Sequence, residues 1–222
     1  MPFAEAAPPE AGDTWTFTAL DAESKLIISY VVGPREGATA MEFMDDLAGR
    51  IEDRPQISTD GLKAYHEAVW EAFGGDVDFA QIIKEYGKGE DHDERKYTPA
   101  KCTNMDKIVV QGSPDLDPAN TSYVERYNLS MRMGMRRFTR LTNAISKKLD
   151  KHCAMLALYF HAYNWVKPLG SLRTKRDNRV TPAMAAGLTD RPATLAELVA
   201  LVDARAPAVN YARKYRPRQP KE

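Results

Sequence analysis

Residues 15–32, WTFTALDAESKLIISYVV, decide the fold class. Two β-rich runs, Trp15 to Leu20 and Leu26 to Val32, flank the polar stretch Asp21-Ala-Glu-Ser-Lys25, which spells a β-hairpin. Gly33-Pro34-Arg35 stops the second run, because proline withholds a ladder donor. Upstream, residues 1–13 are rich in Ala, Pro and Glu and read as a loop or frayed end. Downstream, Ala40, Phe43, Met44, Leu47 and Ile51 recur at helical spacing and predict an amphipathic helix over 39–51 capped by Thr39. Gln56 to Thr59 then predicts a short strand, and Leu62 to Phe73 a second helix. Two strands, a helix, a strand and further helices make a mixed α/β layer.

The remainder reads as follows. Residues 84–120 are polar and broken by Gly and Pro, an insertion or long loop rather than core. A long helix is expected from Ser122 to Leu149, with Val124, Met131, Met135, Phe138, Thr142, Ile145 and Leu149 along one side. Residues 152–166 are apolar nearly all round, the pattern of a buried helix, and Pro168 follows. The expected core is therefore 14–170, followed by a basic extension over 171–222 with a short helix near 194–202. Trp15, Trp70 and Trp165 are expected in the core.

Composition excludes several classes. With 222 residues, of which 43% are hydrophobic, the chain is long enough for one packed core. Cys102 and Cys153 form no CxxC pair, which argues against a zinc knuckle or disulfide framework, and the four histidines show no ligand spacing. No run of about 18 apolar residues occurs and no signal pattern opens the chain, so a soluble cytoplasmic protein with no membrane partner is expected.

The formal net charge is zero, so the total names no partner, but its distribution is lopsided. Between Glu125 and Lys151 stand Arg126, Arg132, Arg136, Arg137, Arg140, Lys147, Lys148 and Lys151 against only Glu125 and Asp150. Clustered cations of this kind fit a nucleic-acid phosphate backbone. Within the segment, Asn128, Arg132 and Arg136 lie within about 60° of Glu125 on a helical wheel, so one carboxylate heads an arginine stripe. The planar guanidinium fork of arginine suits bidentate phosphate contact, which positions a backbone without reading bases.

Asp60 sits where a strand ends, the edge at which open α/β sheets place their sites. An acid at a strand end and a glutamate on a later basic helix together suggest a metal-dependent site acting on a polyanion. Phosphodiester chemistry commonly uses two divalent ions held by a few oxygen ligands. Each residue also has a plainer reading: Asp before Gly is often a turn residue, and Glu in a first helical turn is favoured by the helix dipole.

Five blocks resemble a known family: Trp15-Thr-Phe-Thr-Ala-Leu-Asp21, Ser58-Thr-Asp-Gly-Leu-Lys-Ala-Tyr65, Thr121-Ser-Tyr-Val-Glu-Arg-Tyr-Asn-Leu129, Arg136-Arg-Phe-Thr-Arg-Leu-Thr-Asn-Ala-Ile-Ser-Lys-Lys148 and Thr181-Pro-Ala-Met-Ala-Ala-Gly187. They look like successive blocks of bacterial insertion-sequence transposases of the IS-one type, over roughly residues 13–200. The resemblance implies a ribonuclease-H-like core with an Asp-Asp-Glu triad, cutting DNA at element ends and joining 3′ ends to target DNA with two Mg²⁺ or Mn²⁺ ions. Asp60 then matches the second acid and Glu125 the third, both as catalytic metal ligands. Asn128, Arg132 and Arg136 match the polar face that follows, and Arg137 and Arg140 extend it toward DNA. The strand bearing the first acid is expected ahead of this chain, so strand transfer is expected to be impaired. Asp21 ends a strand that runs the other way and points away from the site. The alternative is a non-catalytic DNA-binding or regulatory remnant, as a homo-oligomer or in a hetero-oligomer with a full-length transposase.

Overall fold

The structure, a computed structural model, describes residues 14–87, 102–138, 146, 148–173 and 179–205. It is a mixed α/β protein in two compact units, 1–160 and 161–222.

The hairpin forms as the sequence predicts. β1 (Trp15–Leu20) pairs antiparallel with β2 (Ile27–Gly33), Phe17 opposite Val31. The Asp21 carboxylate accepts from the Ser24 backbone N–H at 2.8 Å and closes the turn, while Lys25 takes a left-handed φ of 63°. Asp21 is therefore a turn residue. Burial pushes its carboxyl up, but the Ser24 hydrogen bonds outweigh this and hold it below its ordinary value.

α1 (Gly37–Ala48) buries Ala40, Phe43, Met44 and Leu47 as their spacing requires. It begins earlier than expected, after Glu36, so Thr39 lies inside the first turn and is buried rather than capping. Ile51 falls beyond the helix, which ends at Gly49. β3 (Gln56–Asp60) leads into α2 (Ala64–Phe73), ended by Gly74 in left-handed backbone.

β4 (Asp78–Tyr86) is the strand that the sequence reading passed over. It pairs parallel with β3, Asp60 opposite Ile82, and antiparallel with β5 (Cys102–Gln111). Residues 84–120, expected as an insertion or loop, therefore contribute the end of one strand and all of another. β5 is exposed along most of its length and carries Thr103, Asn104, Asp106 and Lys107, so it lacks the apolar alternation that marks a half-buried strand.

The five strands form two sheets, β1-β2 and β3-β4-β5, and no ladder joins them among the described residues. One apolar cluster nevertheless serves both. Phe17 of β1, Phe43 and Met44 of α1, Ala68 and Val69 of α2, and Val77 and Phe79 at β4 pack together. Phe17 meets Phe43 at 5.8 Å and Tyr65 at 6.3 Å between ring centroids. Burial drives the Tyr65 phenol well above its ordinary value.

Arg54 fastens the start of β4. It donates to both Asp78 carboxylate oxygens, at 3.1 and 2.8 Å, and to the Gly75 and Val77 carbonyls. The Arg54 hydrogen bonds, with the Ser113 backbone N–H, hold the Asp78 carboxyl at about 2. A carboxyl depressed in the folded state contributes stability above its ordinary value of 3.8, lost as pH falls through about 2. An Asp78→Asn variant is thus expected to be less stable at neutral pH and to vary less in stability between pH 4 and 2. Urea titrations at several pH values check this; parallel pH curves for variant and parent would refute it.

The long helix expected over 122–149 is broken. α3 (Ser122–Gly134) ends where Met135 adopts extended backbone, and a 3-10 turn follows at Arg136–Phe138. Gly134 is a weak helix former, and a Cβ there would lie 3.2 Å from the Tyr159 ring, so close approach of α4 (Leu149–His161) fixes the break. Of the expected stripe, Met131 and Met135 are buried, Val124 and Phe138 are half-buried, Leu149 is exposed, and Thr142 and Ile145 lie outside the described residues; Tyr127, which that stripe did not include, is buried as well. α4 buries one face only, at Leu156 and Phe160, with Met155 and Leu158 outward, so it is not the all-round buried helix expected. Trp15 and Trp70 are likewise about half exposed, contrary to expectation.

In the second unit a π-helical turn, Ala162–Val166, precedes α5 (Pro182–Ala185), which Thr181 caps through its hydroxyl to Met184 N–H at 3.3 Å. α6 (Leu195–Arg205) opens on a capping box, in which Glu197 accepts the Thr194 N–H at 2.7 Å and Thr194 accepts the Glu197 N–H at 3.2 Å.

Candidate functional site

Asp60 closes β3 and is exposed. Its Oδ1 accepts the Leu62 N–H at 3.2 Å, the turn role that Asp before Gly commonly plays. A buried side chain that the sequence reading missed anchors this turn. Gln81 of β4, 4% exposed, donates from Nε2 to the carbonyls of Asp60 and Leu62, both at 3.1 Å, and its Oε1 pairs with His66 Nε2 at 2.7 Å. The available signal was an amide inside an otherwise apolar run, Phe79-Ala-Gln-Ile-Ile83, where a buried polar group needs partners.

Glu125 stands in the first turn of α3, where the helix dipole favours an acid. Its Oε1 accepts the Thr121 hydroxyl at 2.6 Å and forms an ion pair with Lys84 Nζ. Lys84 is the second missed residue. It lies on β4, two positions past Ile82, the partner of Asp60, so Asp60, Ile82 and Lys84 share one sheet face while Gln81 looks toward α2. The Lys84 side chain is 19% exposed and that of Glu125 52%. Burial pushes the Glu125 carboxyl up, but the hydrogen bonds from Lys84 and Thr121 outweigh this and lower it overall.

The expected arginine stripe is only partly helical. Asn128, half-buried, and Arg132, exposed, follow Glu125 at helical spacing on α3. Arg136 is exposed but belongs to the 3-10 turn beyond the break, so the wheel does not govern it. Arg137 donates to Ser146 Oγ at 3.0 Å. Arg140 lies outside the described residues.

These groups fit a resident divalent ion poorly. Among the described residues no three His, Cys, Asp or Glu side chains gather as a metal-holding group. One Glu125 oxygen already carries an ammonium and a hydroxyl, and one Asp60 oxygen already accepts a backbone N–H. What the arrangement offers instead is a fixed ion pair at one end of a helix whose same face carries an amide and an exposed guanidinium.

No family model, curated protein or solved structure matches the chain. Among the described residues no helix is long and apolar enough to cross a membrane.

Proposed function

We propose that this chain is a DNA-binding core of the transposase type, holding the phosphate backbone with α3 and the turn after it. The observation that carries the reading is the placement of Arg132, exposed on the same face of α3 as Glu125 and Asn128, with Arg136 exposed just beyond. Guanidinium groups so presented meet phosphate oxygens through charge-assisted bonds. A ribonuclease-H-like ancestry gains support from the order hairpin, helix, strand, helix, strand, and from the parallel pairing of β3 and β4 with Asp60 at the strand end. A ribonuclease-H-like sheet lacking one strand between β1 and β3 would leave the two separate sheets observed.

A second reading, DNA strand cleavage and joining with Mg²⁺ or Mn²⁺, draws on Asp60 and Glu125 alone. The described residues supply no third acid, and Glu125 is engaged by Lys84, so binding is the function that the geometry favours. Element ends, target DNA and oligomeric partners belong to this proposal as ligand classes.

The test is fluorescence anisotropy with a labelled DNA duplex across a salt series. Affinity is expected to fall linearly in log–log form with salt. Arg132→Ala with Arg136→Ala is expected to reduce that slope by about 1.8, since each phosphate contact releases about 0.9 of a counterion. The loss should be similar for unrelated duplex sequences. Salt-independent affinity, or a slope unchanged by the double variant, would overturn the reading.

A further inference from the structure

We infer that copies of this chain associate head to tail, the outward face of α2 in one copy docking on the outward face of α3 in the next. The inference goes beyond DNA binding and does not rest on it. Three observations carry it. The first is apolar surface left open on both helices. α2 buries Ala68 and Val69 and turns Trp70 outward, 58% exposed. α3 buries Tyr127 and Met131 and turns Leu129 and Met133 outward, 50% and 80% exposed. Leu129 and Met133 stand one helical turn apart, about 6 Å along the axis, a spacing that lets an indole lie between them. Tryptophan is enriched among the anchors of protein contacts, and methionine adapts its shape to what it meets.

The second observation is charge. Glu67 and Glu71, both exposed, stand one turn apart beside Trp70, while Lys63 sits two turns before it at the start of the helix. Arg126 and Arg132, also exposed, lie on either side of the Leu129–Met133 pair. Among the described residues none of these two acids and two arginines is engaged in an ion pair. An acidic face with an apolar anchor thus matches a basic face with an apolar seat, and such complementarity selects which surfaces meet. The chain's formal net charge of zero sets no overall repulsion between copies against the contact. The third observation is placement. Gln81 of β4 reaches His66 of α2, whereas Lys84 of β4 reaches Glu125 of α3. Residues 81 and 84 point to opposite sides of the strand, so the two helices cover opposite faces of the β3-β4-β5 sheet. Their outward surfaces look away from one another and cannot meet within one copy. A contact between two different surfaces is heterologous, and repeated it builds an open chain or a ring of copies. A patch of this size belongs with the small, weak interfaces, so association is expected to depend on concentration.

The experiment is sedimentation velocity of the whole, nuclease-treated chain over a rising concentration series, without DNA. The parent is expected to shift to larger species as concentration rises, and Trp70→Ala to weaken that association at least about tenfold. Glu67→Arg with Glu71→Arg, and Arg126→Glu with Arg132→Glu, should each give a monomer, because every contact then sets like charges together. Mixing the two charge-reversed proteins should restore association, since the reversed faces match again, and that recovery needs both variants folded. All four positions are exposed, so the reversals leave the core untouched. A parent that stays monomeric throughout, a charge-reversed variant that associates as the parent does, or a mixture that stays monomeric overturns the inference. DNA affinity and its salt slope are read separately, so a failed DNA reading leaves the association result standing, and the reverse holds.

Discussion

Phe79→Ala is expected to lower the unfolding free energy by about 3–5 kcal/mol, the range for removing a ring from a core that closes incompletely behind it. Phe79 is fully buried at the start of β4. It lies opposite Ile57 of β3 and Gln111 of β5, and His66 of α2 meets its ring edge-on at 6.2 Å. Both neighbouring strands and the covering helix therefore converge on one side chain. A domain whose total stability is on the order of 10 kcal/mol would lose a large fraction of it. Urea denaturation followed by circular dichroism measures the loss. A midpoint within a few tenths of a molar of the parent's would show that Phe79 is not the packing centre.

Gly112→Val is expected to cost roughly 3 kcal/mol, through the backbone rather than through lost contacts. Gly112 holds a φ of +69°, which β-branched residues rarely adopt. A Cβ there would overlap Asp78 Oδ1 and stand 2.7 Å from the Val77 carbonyl oxygen. To relieve this the Arg54–Asp78 pair has to move, which removes the fastening of β4 along with the turn. The signature is therefore double. Stability falls at neutral pH, and the acid-dependent portion tied to Asp78 falls with it. A variant that keeps the parent's stability would mean that the turn after β5 relaxes freely.

How much was legible in the sequence follows from how each residue is used. The β1–β2 hairpin and α1 were readable because alternation and helical spacing each reflect one buried face, as Phe17 and the Ala40, Phe43, Met44, Leu47 set show. β4 escaped because a strand covered on both sides shows an apolar run without alternation. β5 escaped because an exposed edge strand buries too little to leave a pattern. The long helix was overextended because Gly134, one residue among good helix formers, yields to the approach of Tyr159, a tertiary contact. Asp60 and Glu125 were identifiable from type and position, and β3 and α3 do hold them at a strand end and in a first helical turn. Their partners were not. Lys84 and Thr121 converge on Glu125 from a distant strand and from the turn before α3, and no local spacing encodes a pair 41 residues apart. The charge that meets Glu125 belongs to the protein itself, carried by Lys84.

The two sheets meet through side chains, with Phe17, Phe43, Tyr65 and Phe79 between them and, among the described residues, no ladder across the join. Apolar packing of this kind owes its strength near room temperature to the entropy of water, and it weakens as water is cooled. Ladder hydrogen bonds within each sheet do not share that dependence. The seam between β1-β2 and β3-β4-β5 is therefore the cold-labile part of the fold: on chilling, the two halves should loosen from one another while each keeps its own pairing.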